Sequence, residues 1–115
     1  MDSILTSVKK MLGISEEYTH FDDDLIMHIN SVFMLLNQLG VGPNKYFSIS
    51  DKTAVWTDFV SASEAPAVKS YMYLKVRKMF DPPTSSSVAS SMDNLINELE
   101  WRLTITASEE EHHDE

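Results

Sequence analysis

The chain has no cysteine, which excludes disulfides, thiolate metal sites and a cysteine nucleophile. With only three glycines and four prolines it has few places to turn tightly, and that favours a handful of helices over many short strands. Bases are scarce: nine lysines and arginines stand against eighteen acids, a formal charge of −9. A nucleic-acid-binding domain normally carries a basic patch, so this balance argues against that class. No segment approaches the roughly 20 apolar residues of a membrane span, and the N-terminus has no apolar signal core. An aqueous site of action is expected, with no secretion route. The P-loop, G-x-G-x-x-G, H-E-x-x-H and G-x-S-x-G signatures are missing as well.

What is present suits a folded protein. The 115 residues give room for one domain and one core, and 43% hydrophobic residues is too many for a disordered chain. The acidity is partly local: Glu109, Glu110, Glu111, Asp114 and Glu115 crowd the last seven residues, leaving thirteen acids against nine bases before them. A single domain over 1–106 is expected, followed at 107–115 by an acidic tail that lacks apolar partners and is expected to be disordered.

Periodicity predicts an all-α fold, with four main helices and one short helix in a compact bundle. Asp2 or Ser3 can cap a first helix whose stripe is Ile4, Leu5, Val8, Met11 and Leu12, with Lys9 and Lys10 outside it. Gly13 supplies its stop and Ile14 a hydrophobic contact just beyond. Asp22 reads as the cap of a second helix, with Asp23 and Asp24 favoured by the helix dipole and Phe21 and Ile26 as a staple. Its stripe is Leu25, Ile29, Val32, Phe33, Leu36 and Leu39, and it ends at Gly40-Val41-Gly42-Pro43 with Val41 folding back on Leu36. Residues 44–65 read as a loop holding a short helix around Val55, Trp56, Phe59 and Val60, capped by Ser50 or Asp51; a strand over Tyr46–Ile49 would lack a partner. Pro66 suits the first turn of a third helix that stops at Asp81-Pro82-Pro83. Hydroxyls from Thr84 to Ser87 can cap a fourth, carrying Val88, Met92, Leu95, Ile96, Leu99 and Leu103.

Three of these helices carry apolar residues off the stripe. Met27 and Met34 lie opposite the main face of the second helix. Tyr73 flanks the third and Leu74 projects from its far side. Trp101 points away from Leu99 and Leu103 on the fourth. Either the central helices are covered on more than one side within one subunit, or these residues meet another protein, since methionine and aromatic side chains are enriched at interfaces. The set Met27, Met34, Tyr73, Leu74 and Trp101 is therefore the candidate protein interface.

Groups for catalysis do not converge anywhere, so no catalytic, cofactor or metal residue is assigned and no cofactor is expected. Asp24 and His28, at i, i+4, supply only two metal ligands and read as a solvated pair at a helix start. The acids Asp22, Asp23 and Asp24 are explained by that same helix start, and His20 reads as a loop residue. Lys69, Lys75, Arg77 and Lys78 put four of the nine bases on the third helix. They could dock an acidic partner or balance the acids of neighbouring helices.

The run Val68-Lys69-Ser70-Tyr71-Met72-Tyr73-Leu74-Lys75-Val76-Arg77, then Phe80-Asp81-Pro82-Pro83-Thr84-Ser85-Ser86, then Leu99-Glu100-Trp101-Arg102-Leu103 resembles the head–tail connector (adaptor, or head-completion) proteins of long-tailed phages and prophages. The likeness is strongest over 56–104. It implies a non-enzymatic helical subunit of the virion head–tail junction, made in the host bacterial cytoplasm and assembled as a ring beneath the portal. The implied partners are further copies of itself, the portal protein and the next connector or tail protein, with packaged DNA passing through the channel unrecognised and no membrane involved. The acidic C-terminal extension falls outside the pattern. A small acidic helical regulator that masks a basic protein is the alternative; it would form a discrete one-to-one complex instead of a ring.

Overall fold

Local signals set the helices, and the places where they end define the architecture. The computed structural model describes residues 3–43 and 45–113, with side chains through Ser108. The first helix, α1 (Ile4–Met11), is capped by Ser3, whose Oγ accepts from the Thr6 amide at 3.2 Å; Asp2, the other expected cap, lies outside the described residues. Beyond it, the Ile14 amide reaches back to the Lys9 carbonyl, the six-to-one bond of a Schellman stop. The second helix, α2 (Asp22–Gln38), ends the same way, with the Val41 amide on the Leu36 carbonyl at 2.9 Å and Val41 buried.

Residues 45–64 form an irregular arm with no strand at 46–49 and a single 3-10 turn at Trp56–Asp58. The expected one or two α-turns contract to that 3-10 turn, whose opening Val55 amide is taken by Asp58 Oδ2 at 3.0 Å. Asp51, expected as a helix cap, instead accepts from the Thr53 amide and hydroxyl, which hold its carboxyl below the ordinary range. The would-be strand is held by a side chain: Asn30 donates to the Ile49 carbonyl at 3.0 Å and accepts from its amide at 2.8 Å. Phe33, Phe47, Phe59 and Trp56 close this end of the core, with ring centroids 4.6 to 6.5 Å from Phe33. Gly42, at φ +89°, leaves space for this cluster, because a Cβ there would lie 2.5 Å from the Phe59 ring.

The third helix, α3 (Ala65–Phe80), has Pro66 in its first turn, and the fourth, α4 (Ser86–His113), begins after Ser85 accepts from the Val88 amide. Tyr71 bonds Glu100 while Lys78 pairs with Asp93, so α3 and α4 run antiparallel. At 1.5 Å per residue α4 is about 42 Å long, nearly as long as the largest dimension of the 46 × 35 × 20 Å molecule. Ala107 is its last described side chain packed on the body, and the backbone stays helical to His113. The position after Thr106, where the domain edge is expected, lies inside α4, while Asp114 and Glu115 lie outside the described residues. No described helix is long and apolar enough to cross a membrane.

Two expectations fail at the α1–α2 corner. Asp22 is the first residue of α2 and makes no cap bond. Its Oδ1 instead lies 2.8 Å from Lys9 Nζ. Lys9, expected outside the stripe, is 2% exposed and also donates to the Glu16 carbonyl at 2.9 Å. The stem of a lysine can lie along apolar surface while its head finds polar partners, and the turn after α1 brings those partners to it.

Candidate protein-interaction surfaces

Burial on α3 sorts the candidate residues. Val68, Met72 and Val76 form one apolar stripe. A second is formed by Ala67, Tyr71, Leu74 and Lys78, at spacings of four, three and four that keep them on one face. This second stripe is the seat of α4, since Tyr71 Oη donates to Glu100 Oε2 at 2.7 Å, Lys78 pairs with Asp93 and Ala67 lines a cleft with Leu103. Leu74 is thus 7% exposed and a core residue, which withdraws it from the contact set. Tyr73 is half-buried against the core, and its hydroxyl accepts from Arg77 Nη1 at 3.0 Å, so it offers only an edge.

Met27, Met34 and Trp101 are different. They are 59%, 51% and 65% exposed and lie directly opposite the faces by which α2 and α4 join the body. On α2 that inner face is Leu25, Ile29, Val32, Phe33 and Leu36, all fully buried. On α4 it is Met92, Ile96, Leu99 and Leu103. Ile105, at i+4 from Trp101 and 36% exposed, extends the second patch; its spacing could have revealed it. The sequence stripe on α4 was too wide, because Val88 and Leu95 are 45% and 46% exposed. They fall to one side of the line through Met92, Ile96, Leu99 and Leu103, and with Ser87, Ser91 and Met92 they edge an open groove of about 270 Å³.

Two further cavities among the described residues gather no chemistry. A cleft of about 150 Å³ between Val41, Ala67, Leu103 and Ala107 is mainly apolar. A shallow trench beside α1 holds Lys10, Lys69 and Glu16 among hydroxyls. Among the described residues no three histidine or acidic side chains gather to hold a metal ion. The bases of α3 are spread around the helix: Lys69 lies 5.9 Å from the Trp56 ring centre, Arg77 meets Tyr73 and Lys78 meets Asp93. Of these contacts only Lys78–Asp93 pairs a base with an acid of a neighbouring helix, and the four bases share no single face.

The α3–α4 seam has a pH signature. Burial first, then the hydrogen bond to Glu100 and its charge, holds the Tyr71 phenol well above its ordinary value of 10.0. The unfolded chain loses that proton first as pH rises, so the contribution is complete below about pH 10 and is lost progressively above it. Tyr71→Phe is expected to cost about 1.5 kcal/mol at neutral pH and to flatten the alkaline fall in stability, as read by urea unfolding from about pH 9 to pH 11. An unchanged alkaline slope would remove Tyr71 as its source.

A family model described as phage connector protein matches residues 4–110, which takes in every helix core and both exposed patches. No curated protein and no solved structure matches the chain.

Proposed function

The chain belongs to the phage connector protein family, whose match runs over residues 4–110, and from that premise we propose that it is a subunit of a ring beneath the portal, joining the DNA-filled head to the tail. Its role in the phage particle is structural. The observation that carries the finer reading is the pair of apolar patches left uncovered by the subunit's own packing, Met27 with Met34 on α2 and Trp101 with Ile105 on α4. Two unlike patches on one subunit suit head-to-tail contacts, which close into a ring when the rotation between copies allows it. The portal protein would supply one neighbour, and a further connector or tail protein the other. Assembly need not occur in isolation if the portal is the template.

Trp101→Ala tests the reading. The indole is mostly exposed, so the unfolding free energy read in urea is expected to stay within about 0.5 kcal/mol of the parent, while incorporation into particles and binding to portal fall at least tenfold. Unchanged assembly alongside unchanged stability would take Trp101 out of the contact. With a formal charge of −9, the subunits would also present an acidic lumen that repels packaged DNA. A basic lumen in an assembled particle would end that part of the proposal.

A further inference from the structure

The two patches also differ in the charges around them, and this decides which can meet which. On α2, Met27 and Met34 are seven residues apart on one side, with the Ser31 hydroxyl between them turned onto the Met27 carbonyl at 3.0 Å. The helix contains no lysine or arginine, and exposed Asp23 and Asp24 sit one turn before Met27. On α4, Trp101 and Ile105 stand one turn apart beside exposed Arg102, whose guanidinium holds Glu98 at 2.7 Å. That surface pair is weak enough to be shared with another carboxylate.

Two α2 faces brought together would oppose four aspartates with no base between them, which disfavours that contact. Two α4 faces together would leave both methionine patches bare. An α2 face against an α4 face covers both patches and brings a base toward the acids. The positions of the helices allow it: α3 lies between α2 and α4, and each patch points away from the body. Methionine side chains adapt to irregular surfaces and make favourable sulfur–aromatic contacts. We infer that the α2 face of one copy packs on the α4 face of the next, Met27 and Met34 closing over Trp101 and Ile105. This rests on the ring reading above and specifies its subunit contact.

The absence of native cysteine makes the test direct. Ser31→Cys places a thiol within the methionine patch, and Asn97→Cys or Ser108→Cys flanks the tryptophan patch; all three positions are exposed and every patch side chain stays intact. The full chain carrying Ser31→Cys with either α4 substitution is assembled into phage particles and treated with a short bismaleimide. At least one double variant is expected to give a ladder of dimers, trimers and larger species, and each single variant none. Dimers from a single variant, or no ladder from either double variant in tailed particles that contain the chain, would overturn the pairing. Absence of the wild-type chain from the particles would overturn the ring reading itself, so the two failures are distinct.

Discussion

Phe33→Ala is expected to destabilise the protein by about 4 kcal/mol, a typical cost for removing a fully buried aromatic ring. Phe33 is 0% exposed, with Phe59 and Phe47 at centroid distances of 4.6 and 4.9 Å and Trp56 at 6.5 Å. Its ring joins α2 to the irregular arm of residues 45–64, which has no α-helix of its own. The substitution therefore removes the body against which the arm packs, as well as one ring's area. A small domain has only about 5–15 kcal/mol to lose, so the urea midpoint should fall sharply. Near-ultraviolet dichroism from Trp56 should weaken even below the transition. A loss under about 1 kcal/mol would mean that the arm is held elsewhere, the Asn30 clamp on Ile49 being the next place to look.

The second large effect is at Lys9. Its ammonium lies 2.8 Å from Asp22 Oδ1 and donates to the Glu16 carbonyl, and its side chain is 3% exposed. Removing one partner of a buried pair leaves the other uncompensated, at about 3–5 kcal/mol when both are fully enclosed. Asp22 keeps 25% of its side chain in solvent and sits at the start of α2, where the helix dipole favours an anion, so the charge part should be nearer 2 kcal/mol. Lys9→Ala also loses the packing of a buried stem, roughly 0.8 kcal/mol per methylene, for about 4 kcal/mol in all. Lys9→Met retains most of the stem and should cost about 2 kcal/mol. Equal losses in the two variants would show that packing is negligible there. No loss in either would show that the corner between α1 and α2 is held by its apolar contacts alone. Both variants are compared by urea midpoints at constant m-value.

The patches on α2 and α4 stand apart from these positions. Phe33 and Lys9 support the subunit, whereas Met27, Met34 and Trp101 lie opposite the buried faces and can change without disturbing the core. That separation allows a variant to be stable and yet fail to assemble, the outcome expected if the proposed ring contact is made by these patches.

The sequence by itself determined what is local: that the chain is helical, where α1 and α3 begin, where α1, α2 and α3 stop, and which residues line the inner face of α2. Caps, glycine stops and 3.6-residue periodicity act over a few residues. Met27, Met34 and Trp101 were legible for the same reason, since a residue opposite a clean stripe stays opposite it in any packing. Only the tertiary structure decided how many sides of a helix are covered. Leu74 looked like Trp101 in sequence, but α3 is the central helix and Leu74 lies where α4 seats, while Trp101 is on an outer helix and no described element covers it. Val88 and Leu95 went the opposite way, from expected core to solvent, because the register of α4 on α3 leaves that edge open. Lys9 was buried by partners 7 and 13 positions along the chain, whose approach depends on how the turn after α1 folds. Periodicity states which residues share a face; the neighbour that covers it is chosen by contacts between helices far apart in the chain, and a helical wheel carries no information about those.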